Sequence, residues 1–422
     1  MKHNVSYFFN LTVGVALGIA AVCVQSSCSQ EGVESMEDLS DRVMQIATEQ
    51  FAILDVHLRD NEFPRSYDDG QYLDSGLEWW CSGFFPGSLW YVYEYTSDEK
   101  VKELAHKHTV KMKSLVDVYT DHDIGFQANC SFGNAYRLTR SEEYLPVLEA
   151  SAAKLAKRFN PVVGCIRSWD HAWFNYPVII DNMMNLEHLL NCSELFHCDS
   201  LKHIACRHAD VTMANHFRVD GSSYHLVDYV PSTGEIDHKQ TCQGFADESA
   251  WSRGQAWGLY GYAMMYQRTA ESRYLSHAEK IARFILPLLP QDGIPYWDFN
   301  APGTPEALPS DASGHPAEYS WRKGEKIQRD ASAGAIMASG FITLSCLTSD
   351  NDLAGQCKDA AERIIRTLAS PMYFAQIDEQ GGYLIKHCVG NIPGKSEIDV
   401  PLTYADYYFL ESIVKYKRYY LK

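Results

Sequence analysis

Residues 242–258 read Cys-Gln-Gly-Phe-Ala-Asp-Glu-Ser-Ala-Trp-Ser-Arg-Gly-Gln-Ala-Trp-Gly, and they hold a dense set of groups able to do chemistry. The segment opens as a loop and continues as a helix. An oxygen of Asp247 or Ser249 could cap that helix by accepting an orphaned backbone N–H. Arg253 and Trp257 lie four residues apart and share a helix face. With Gln243 and Gln255 they bring one guanidinium, one indole face and two amides to a helix N-terminus. Such a group suits an anionic ring: charge for a carboxylate, a flat apolar face for a sugar. The plainer alternative is a buried amphipathic helix whose arginine snorkels.

Two carboxyls stand out elsewhere. Asp181 follows Tyr-Pro-Val-Ile-Ile (176–180) and precedes Asn-Met-Met-Asn-Leu (182–186). A carboxyl wrapped by such apolar neighbours has its ionised form disfavoured, so its pKa rises toward the range of a proton donor at neutral pH. A second Asp close by would raise it further by like-charge repulsion. As a simple helix cap, Asp181 would instead be stabilised as the anion. Asp123 lies in His-Asp-Ile-Gly-Phe (122–126), where Gly125 lets the chain turn sharply before a helix. Its local reading is a turn or cap residue. His225, in Ser-Ser-Tyr-His (222–225), sits on an extended piece. Trp169, in Ile-Arg-Ser-Trp-Asp (166–170), and Trp80, in Trp-Trp-Cys-Ser-Gly-Phe (79–84), could stack on sugars or fill the core.

The elements that must position these groups are helices. Amphipathic periodicity predicts helices over 36–59, 98–119, 141–159, 181–196, 201–217, 249–269, 274–289, 332–348, 351–369 and 404–419, with a shorter one over 132–138. Loops rich in Gly, Pro, Asp and Ser join them. Short extended pieces at 223–229 and 382–387 read as hairpin arms. Ten to twelve helices without a short repeat period fit an all-α, (α/α)6 barrel of inner and outer helices. Its pocket would form where the loops entering the inner helices converge, and polar and aromatic clusters at 79–90, 121–127, 165–181, 223–257 and 294–330 fall there. The other arrangement is an open superhelix of helical repeats. Residues 300–330 read as one long functional loop, ending in Arg329-Asp330-Ala331-Ser332, a helix cap.

The first 27 residues read as a signal peptide: Lys2 and His3 precede an apolar run, Leu11 to Val24, too short to span a bilayer. Ser26-Ser27-Cys28 resembles a lipoprotein cleavage box. Export to the periplasm and membrane anchoring through a lipidated Cys28 are therefore expected, with 28–36 a tether and 37–422 a single catalytic domain. The formal charge of −17 argues against nucleic acid as a partner. It also requires a locally basic pocket if the substrate is anionic. Of 12 Cys, ten lie beyond Cys28; they show no Cys-x-x-Cys pair and no His/Cys metal spacing, and read mostly as buried thiols.

Taken in order, Trp80-Cys-Ser-Gly-Phe-Phe-Pro-Gly-Ser-Leu-Trp90, His122–Phe126, Ile166–Asp170, Ile180–Asn185, Ser223-Tyr-His225, Gln243-Gly-Phe245, Ser249–Gly258 and Ser396–Phe409 form a specific set. This set resembles the unsaturated glucuronyl hydrolases of glycoside hydrolase family 88 over nearly the whole mature chain. The resemblance implies an (α/α)6 barrel that removes a 4,5-unsaturated uronic acid from the non-reducing end of lyase-generated oligosaccharides, with no metal or organic cofactor. The implied chemistry is hydration of an enol ether, so carboxylate spacing does not predict retention or inversion. By the same resemblance Asp181 is the general acid and base. Asp123 is the second essential carboxyl, orienting the sugar and keeping Asp181 protonated. His225, Gln243 and Arg253 would contact the uronate, with Arg253 and His225 supplying positive charge. Trp80, Trp169 and Trp257 would stack, with Trp79 the competitor of Trp80.

Two rivals are an unsaturated rhamnogalacturonyl hydrolase acting on pectin fragments and a non-catalytic glycan-binding lipoprotein of helical repeats. A polysaccharide lyase on a helical toroid would want a Tyr/His base pair instead. Chondroitin- or hyaluronan-type substrates are preferred over heparin-type ones. Lys386, Lys395 and Ser396 could meet a sulfate or stand solvated in their loop.

Overall fold

Helices that are buried on every side alternate along the chain with helices buried on one side only. In the computed structural model, which describes residues 34–119, 121–301, 304 and 327–421, this alternation is what makes the barrel. The outer helices are α1 (Met36–His57), α3 (Glu99–Val110), α6 (Leu145–Ala156), α8 (Asp199–Asn215), α10 (Ser272–Ile285) and α12 (Asn351–Leu368). On α12 the buried residues Leu353, Cys357, Ala360, Ala361, Ile364, Ile365 and Leu368 recur every three to four positions, a single apolar stripe. The inner helices are α2 (Phe84–Thr96), α4 (Ile124–Ala128) continuing through a π turn (Asn129–Gly133) into α5 (Asn134–Thr139), α7 (Asn182–Leu195), α9 (Ser252–Thr269), α11 (Ala331–Leu347) and α13 (Thr403–Tyr420). On α9 every residue from Ser252 to Met265 is buried, and on α11 every residue from Ala331 to Leu344.

The inner helices close a ring: α2 packs on the π turn, α4 on α7, α7 on α9, α9 on α11, α11 on α13, and α13 on α2. Each outer helix leans on its inner neighbour, α3 on α2, α8 on α7, α10 on α9 and α12 on α11. The predicted (α/α)6 barrel is therefore the observed fold. Among the described residues no helix is long and apolar enough to cross a membrane. The signal peptide and Cys28 lie outside the described residues, as does most of the 300–330 loop.

The sequence-predicted helices agree to within a few residues, apart from 98–119, 141–159 and 274–289, which each split into an α-helix and a 3-10 turn. Asp98, Asp330 and Asp350 cap α3, α11 and α12 by accepting backbone N–H groups, Asp330 as expected. Two expectations fail. The 79–90 cluster contains the first two turns of α2, because a helix buried all round carries no periodic polar face to announce it. Its Pro86 falls within the first turn, where the backbone N–H has no intrahelical partner to lose. The 382–387 arm is irregular, and the strand begins only at Cys388. Of the ten cysteines beyond Cys28 none is disulfide-bonded, and Cys346, inside a helix as expected, is exposed rather than buried.

Short antiparallel sheets decorate the end at which the inner helices begin. β3 (Phe159–Asn160) pairs with β4 (Cys165–Ile166), and β5 (Pro177–Ile179), β6 (Leu226–Tyr229) and β7 (Ile236–Gln240) form one three-stranded sheet. β8 (Cys388–Asn391) and β9 (Ser396–Val400) form a hairpin before α13, and β1 (Phe63–Asp68) and β2 (Gln71–Ser75) another before α2.

Gly83, at the start of α2, lets that helix meet α4. A Cβ there would stand 2.4 Å from the Gln127 carbonyl oxygen and 2.7 Å from its Cα, and backbone cannot yield as a side chain can. Gly83→Ala is expected to cost roughly 1–3 kcal/mol, the usual toll of overpacking. An unchanged midpoint in denaturant unfolding would show that the two helices can part freely.

Candidate active site

Each gap leading into an inner helix delivers a polar or aromatic group to the same end of the barrel. Trp80 precedes α2, Asp123 precedes α4, Trp169 and Asp181 precede α7, His225 and Gln243 precede α9, and Asp330 precedes α11. Tyr404 and Arg253 stand in the first turns of α13 and α9.

Close packing brings the two carboxyls together. Asn185, one turn into α7, accepts the backbone N–H of Phe126 at 2.8 Å through its Oδ1. Gly125 permits this approach, since a Cβ there would lie 2.5 Å from the same oxygen. The start of α4, with Asp123, is thereby locked to the start of α7, with Asp181. Neither aspartate caps its helix through its side chain. Asp123 is therefore not the cap that its surroundings in the sequence favoured.

Asp181 is largely buried, and desolvation raises its pKa to about 6, against the opposing pull of the Arg253 guanidinium. Its Oδ2 has no protein hydrogen-bond partner. Facing it at 3.8 Å is Nε2 of His225, buried and equally without a partner. The Nδ1 of His225 accepts the backbone N–H of Cys242 at 2.9 Å, so the neutral ring carries its proton on Nε2 and aims it at Asp181. Burial, reinforced by Arg253, drives the His225 pKa down to about 3. His225 is thus a neutral donor, which corrects the expectation that it supplies positive charge.

Asp123 is pushed well above the usual carboxylate range by burial first, then by the charges of Asp121 and Asp181. For Asp181 too, loss of water is the leading cause of the rise. Behind them His122 is fully buried, and burial lowers its pKa to about 4.

Arg253 is not a free cation. Its Nη1 pairs with Asp330 Oδ2 at 3.1 Å and also donates to the Val389 carbonyl, while Nη2 donates to the Gly390 carbonyl at 2.6 Å. Its guanidinium lies 4.3 Å from the Trp251 ring centre. It ties α9 to the head of α11 and to the β8–β9 hairpin. Gln243 reaches the same Gly390 carbonyl at 3.3 Å. Gln255 belongs to the scaffold, bonding Ser223 and the Gly221 carbonyl. The expected caps differ as well. Asp247 accepts the Thr241 N–H, and Ser249 donates to Asp298, so α9 begins at Ser252 without a side-chain cap.

The aromatics sort by depth. Trp257 is fully buried edge-on to Phe126 and Tyr408, with its indole N–H unpartnered. Trp80 is half-buried, 4.8 Å from the Tyr404 ring, whereas Trp79 turns outward under the Arg65 guanidinium. Trp80 is therefore the inward-facing one of the pair. Trp169 sits at the rim: Ser168 beside it accepts the His122 N–H through its carbonyl and the Ile179 N–H through its hydroxyl.

Tyr404 and Trp251, given no role from sequence, each bury a donor that meets no protein acceptor. Their signal was positional, since Tyr404 opens its inner helix just as Asp123 and Asp181 precede theirs. Among the described residues, two groups could offer a metal ion three donor atoms within 4.8 Å of one another, Asp121/His122/Asp123 and Asp228/Asp237/His238. In each, a carboxylate already accepts backbone N–H groups, Asp121 from Asp123 and Asp228 from Asn175 and Tyr176. A separate cavity of about 710 Å3 opens among the C-terminal halves of the inner helices, away from both carboxyls.

Comparison with known proteins follows the same line. The chain is 38% identical over 370 residues to an unsaturated glucuronyl hydrolase of Formosa agariphila, covering 86% of both chains. The chain belongs to the unsaturated glucuronyl hydrolase family. A solved unsaturated glucuronyl hydrolase specific for heparin is 40% identical, with a TM-score of 0.82 over 90% of this chain and 98% of that one. The Streptococcus agalactiae unsaturated glucuronyl hydrolase superposes with a TM-score of 0.80 at 26% identity, covering 91% of this chain and 92% of that one. No family model matches the chain. The chain is thus a glycosidase of the family that its ordered motifs resemble, and the pectin and non-catalytic rivals are not favoured.

Removing Asp330 from its pair leaves the Arg253 charge buried and uncompensated, an error that typically costs about 3–5 kcal/mol. Asp330→Ala is expected to lower stability on that scale in denaturant unfolding. A loss below about 1 kcal/mol would mean that carbonyls alone satisfy the guanidinium.

Proposed function

We propose that the protein removes the terminal 4,5-unsaturated uronic acid from lyase-generated glycosaminoglycan oligosaccharides by adding water across the C4=C5 enol ether. The observation that carries the mechanism is the pair of buried, unpartnered atoms Asp181 Oδ2 and His225 Nε2 facing each other. A reacting group placed against both atoms would meet a proton donor and a hydrogen-bond donor together.

In the forward step Asp181, protonated, delivers its proton to C4, and positive charge develops at C5 and the ring oxygen. Water adds at C5 as Asp181, now a carboxylate, accepts its proton, so the acid is regenerated. The resulting C5 hemiketal opens by breaking the bond to the ring oxygen. The hemiacetal left at C1 then expels the shortened saccharide, and the uronate departs as an open-chain keto sugar. Asp123, holding its proton, can donate to a sugar hydroxyl and orient the ring. Trp80 and Trp169 offer ring faces, and Gln243 an amide at the hairpin.

The named relatives include unsaturated chondroitin disaccharide hydrolases and a structure complexed with dGlcA-GalNAc6S. They support the chondroitin and hyaluronan type. A heparin-type linkage is the second reading, favoured by the 40% identity to the heparin-specific enzyme. Lys386 contributes to neither, since it is tied to Glu379 at 2.9 Å and to the Pro371 carbonyl. Lys395 and Ser396 remain at the hairpin turn. Export to the periplasm and anchoring through a lipidated Cys28 rest on the leader sequence alone.

Loss of the conjugated enol–acid ultraviolet absorbance, followed on chondroitin, hyaluronan and heparin unsaturated disaccharides, tests the reaction and ranks the linkages. Asp181→Asn is expected to lower kcat by about 10²–10⁴-fold, the usual worth of a positioned proton donor. Wild-type protein that consumes none of the three would sink the reading.

The pH profile is fixed by the raised carboxyl. Asp181 must be protonated to act, and its pKa lies at about 6. The rate should therefore level off below that pH and fall as pH rises through it, approaching about tenfold per unit. A rate that climbs between pH 6 and 8 would assign the proton to another group.

A further inference from the structure

His122 is fully buried next to Asp123, yet no step of the hydration uses its ring. Two backbone groups decide where that ring carries its proton. The Ile166 carbonyl accepts a hydrogen bond from Nδ2 of Asn182 at 2.9 Å, which turns Oδ1 of Asn182 toward Asn185. The Phe126 N–H is accepted by Oδ1 of Asn185 at 2.8 Å, which turns its Nδ2 the other way. That amide nitrogen donates to Asn182 Oδ1 and to His122 Nδ1, both at 3.3 Å. Nδ1 of His122 is therefore an acceptor. The neutral ring, its pKa lowered by burial to about 4, carries its proton on Nε2.

Nε2 stands 3.4 Å from Asp123 Oδ1 and meets no other protein acceptor. Hydrogen bonds at catalytic groups are often long before substrate arrives and tighten in the complex. A small turn of the Asp123 carboxyl would satisfy a buried donor that is costly to leave unmet. Asp121, the other carboxyl at this corner, is engaged by the Asp123 backbone N–H at 2.9 Å. Other buried histidines serve the frame: His208 accepts the Ile166 N–H, and His216 bonds the Val178 carbonyl. His122 and His225 differ from them, since each turns Nε2 to one of the two site carboxyls.

We propose that His122 is a positioning residue for Asp123, donating Nε2–H to Oδ1 so that the carboxyl presents its proton on Oδ2 to a sugar hydroxyl. An oxygen that already accepts a hydrogen bond is the poorer place for the proton, because two hydrogens would then face each other. Asn182 and Asn185, at the head of α7, thereby set the working face of a carboxyl at the head of α4. The inference rests on the proposed function, because only there does Asp123 hold the substrate.

The test is a double-mutant cycle on affinity for the unsaturated chondroitin, hyaluronan or heparin disaccharide that wild type turns over fastest. Asp181→Asn, which slows turnover, is the parent, and it is compared with the same protein carrying His122→Met, Asp123→Ala or both. His122→Met should weaken binding about tenfold where Asp123 is present, and less than about twofold where alanine replaces it. His122→Gln, close to methionine in size but bearing an N–H, should stay within about threefold of the parent. A folding defect from loss of the ring would weaken the Met and Gln variants alike. Equal losses in both Asp123 backgrounds, equal losses in Met and Gln, or no loss in His122→Met would each overturn the positioning role and leave the proposed function standing. Wild type that consumes none of the disaccharides overturns the proposed function, and this inference with it.

Discussion

A carboxyl that keeps its proton near neutrality must be kept from water, and the rest of this structure depends on achieving that at Asp181. The barrel sets two effects against each other there. Asp181 stands at the start of a helix, where the helix dipole favours the anion by about 0.3–1 kcal/mol. Arg253 favours it too. Burial opposes both and wins, because a shift from 3.8 to about 6 corresponds to roughly 3 kcal/mol against ionisation. Closing the ring of inner helices, with Ile179, Ile180 and Trp257 buried around the carboxyl, is what makes that desolvation large. An open superhelix would have exposed the same aspartate along a concave face and let it ionise.

The second dependency runs through Arg253. Its guanidinium sits at the junction of α9, α11 and the β8–β9 hairpin, and its planar fork serves a carboxylate and two backbone carbonyls at once. A lysine ammonium could not span these three acceptors in one plane. Buried charge is stable here only because Asp330 answers it, and Asp330 is itself committed to capping α11. One residue pair therefore links the β8–β9 hairpin to two inner helices, so the core holds the hairpin in addition to its own short ladder.

Much of this was legible in the sequence. The outer helices declared themselves through periodicity, and the positions of Asp123, Asp181, His225 and Arg253 before or at inner helices followed from ordered motifs. What failed, failed for physical reasons. α2 has no polar face, so Phe84–Thr96 could not be told from an aromatic loop. Protonation states were misjudged because they are set by contacts distant in sequence. The Cys242 N–H decides the tautomer of His225, and burial, helped by Asp121 and Asp181, raises the pKa of Asp123. Gln255 looked like a ligand-binding amide but spends both ends of its amide on backbone near Gly221 and Ser223. No local pattern separates an amide that faces a pocket from one that ties a loop.

The corrected charges change how an anionic sugar can be held. A locally basic pocket was expected, yet His225 is neutral and Arg253 is already paired with Asp330. The donors left are uncharged: the indole N–H groups of Trp251 and Trp257, the Tyr404 hydroxyl and the His225 Nε2–H, all buried and none with a protein acceptor. In a dry site such neutral donors stabilise a carboxylate well, because no water competes for it. They also carry less penalty than an unpaired cation before substrate arrives. A free cation near Asp181 would pull its pKa down and remove the proton that the reaction needs. Binding the uronate through neutral donors would therefore let an acid poised near 6 sit beside an anionic substrate.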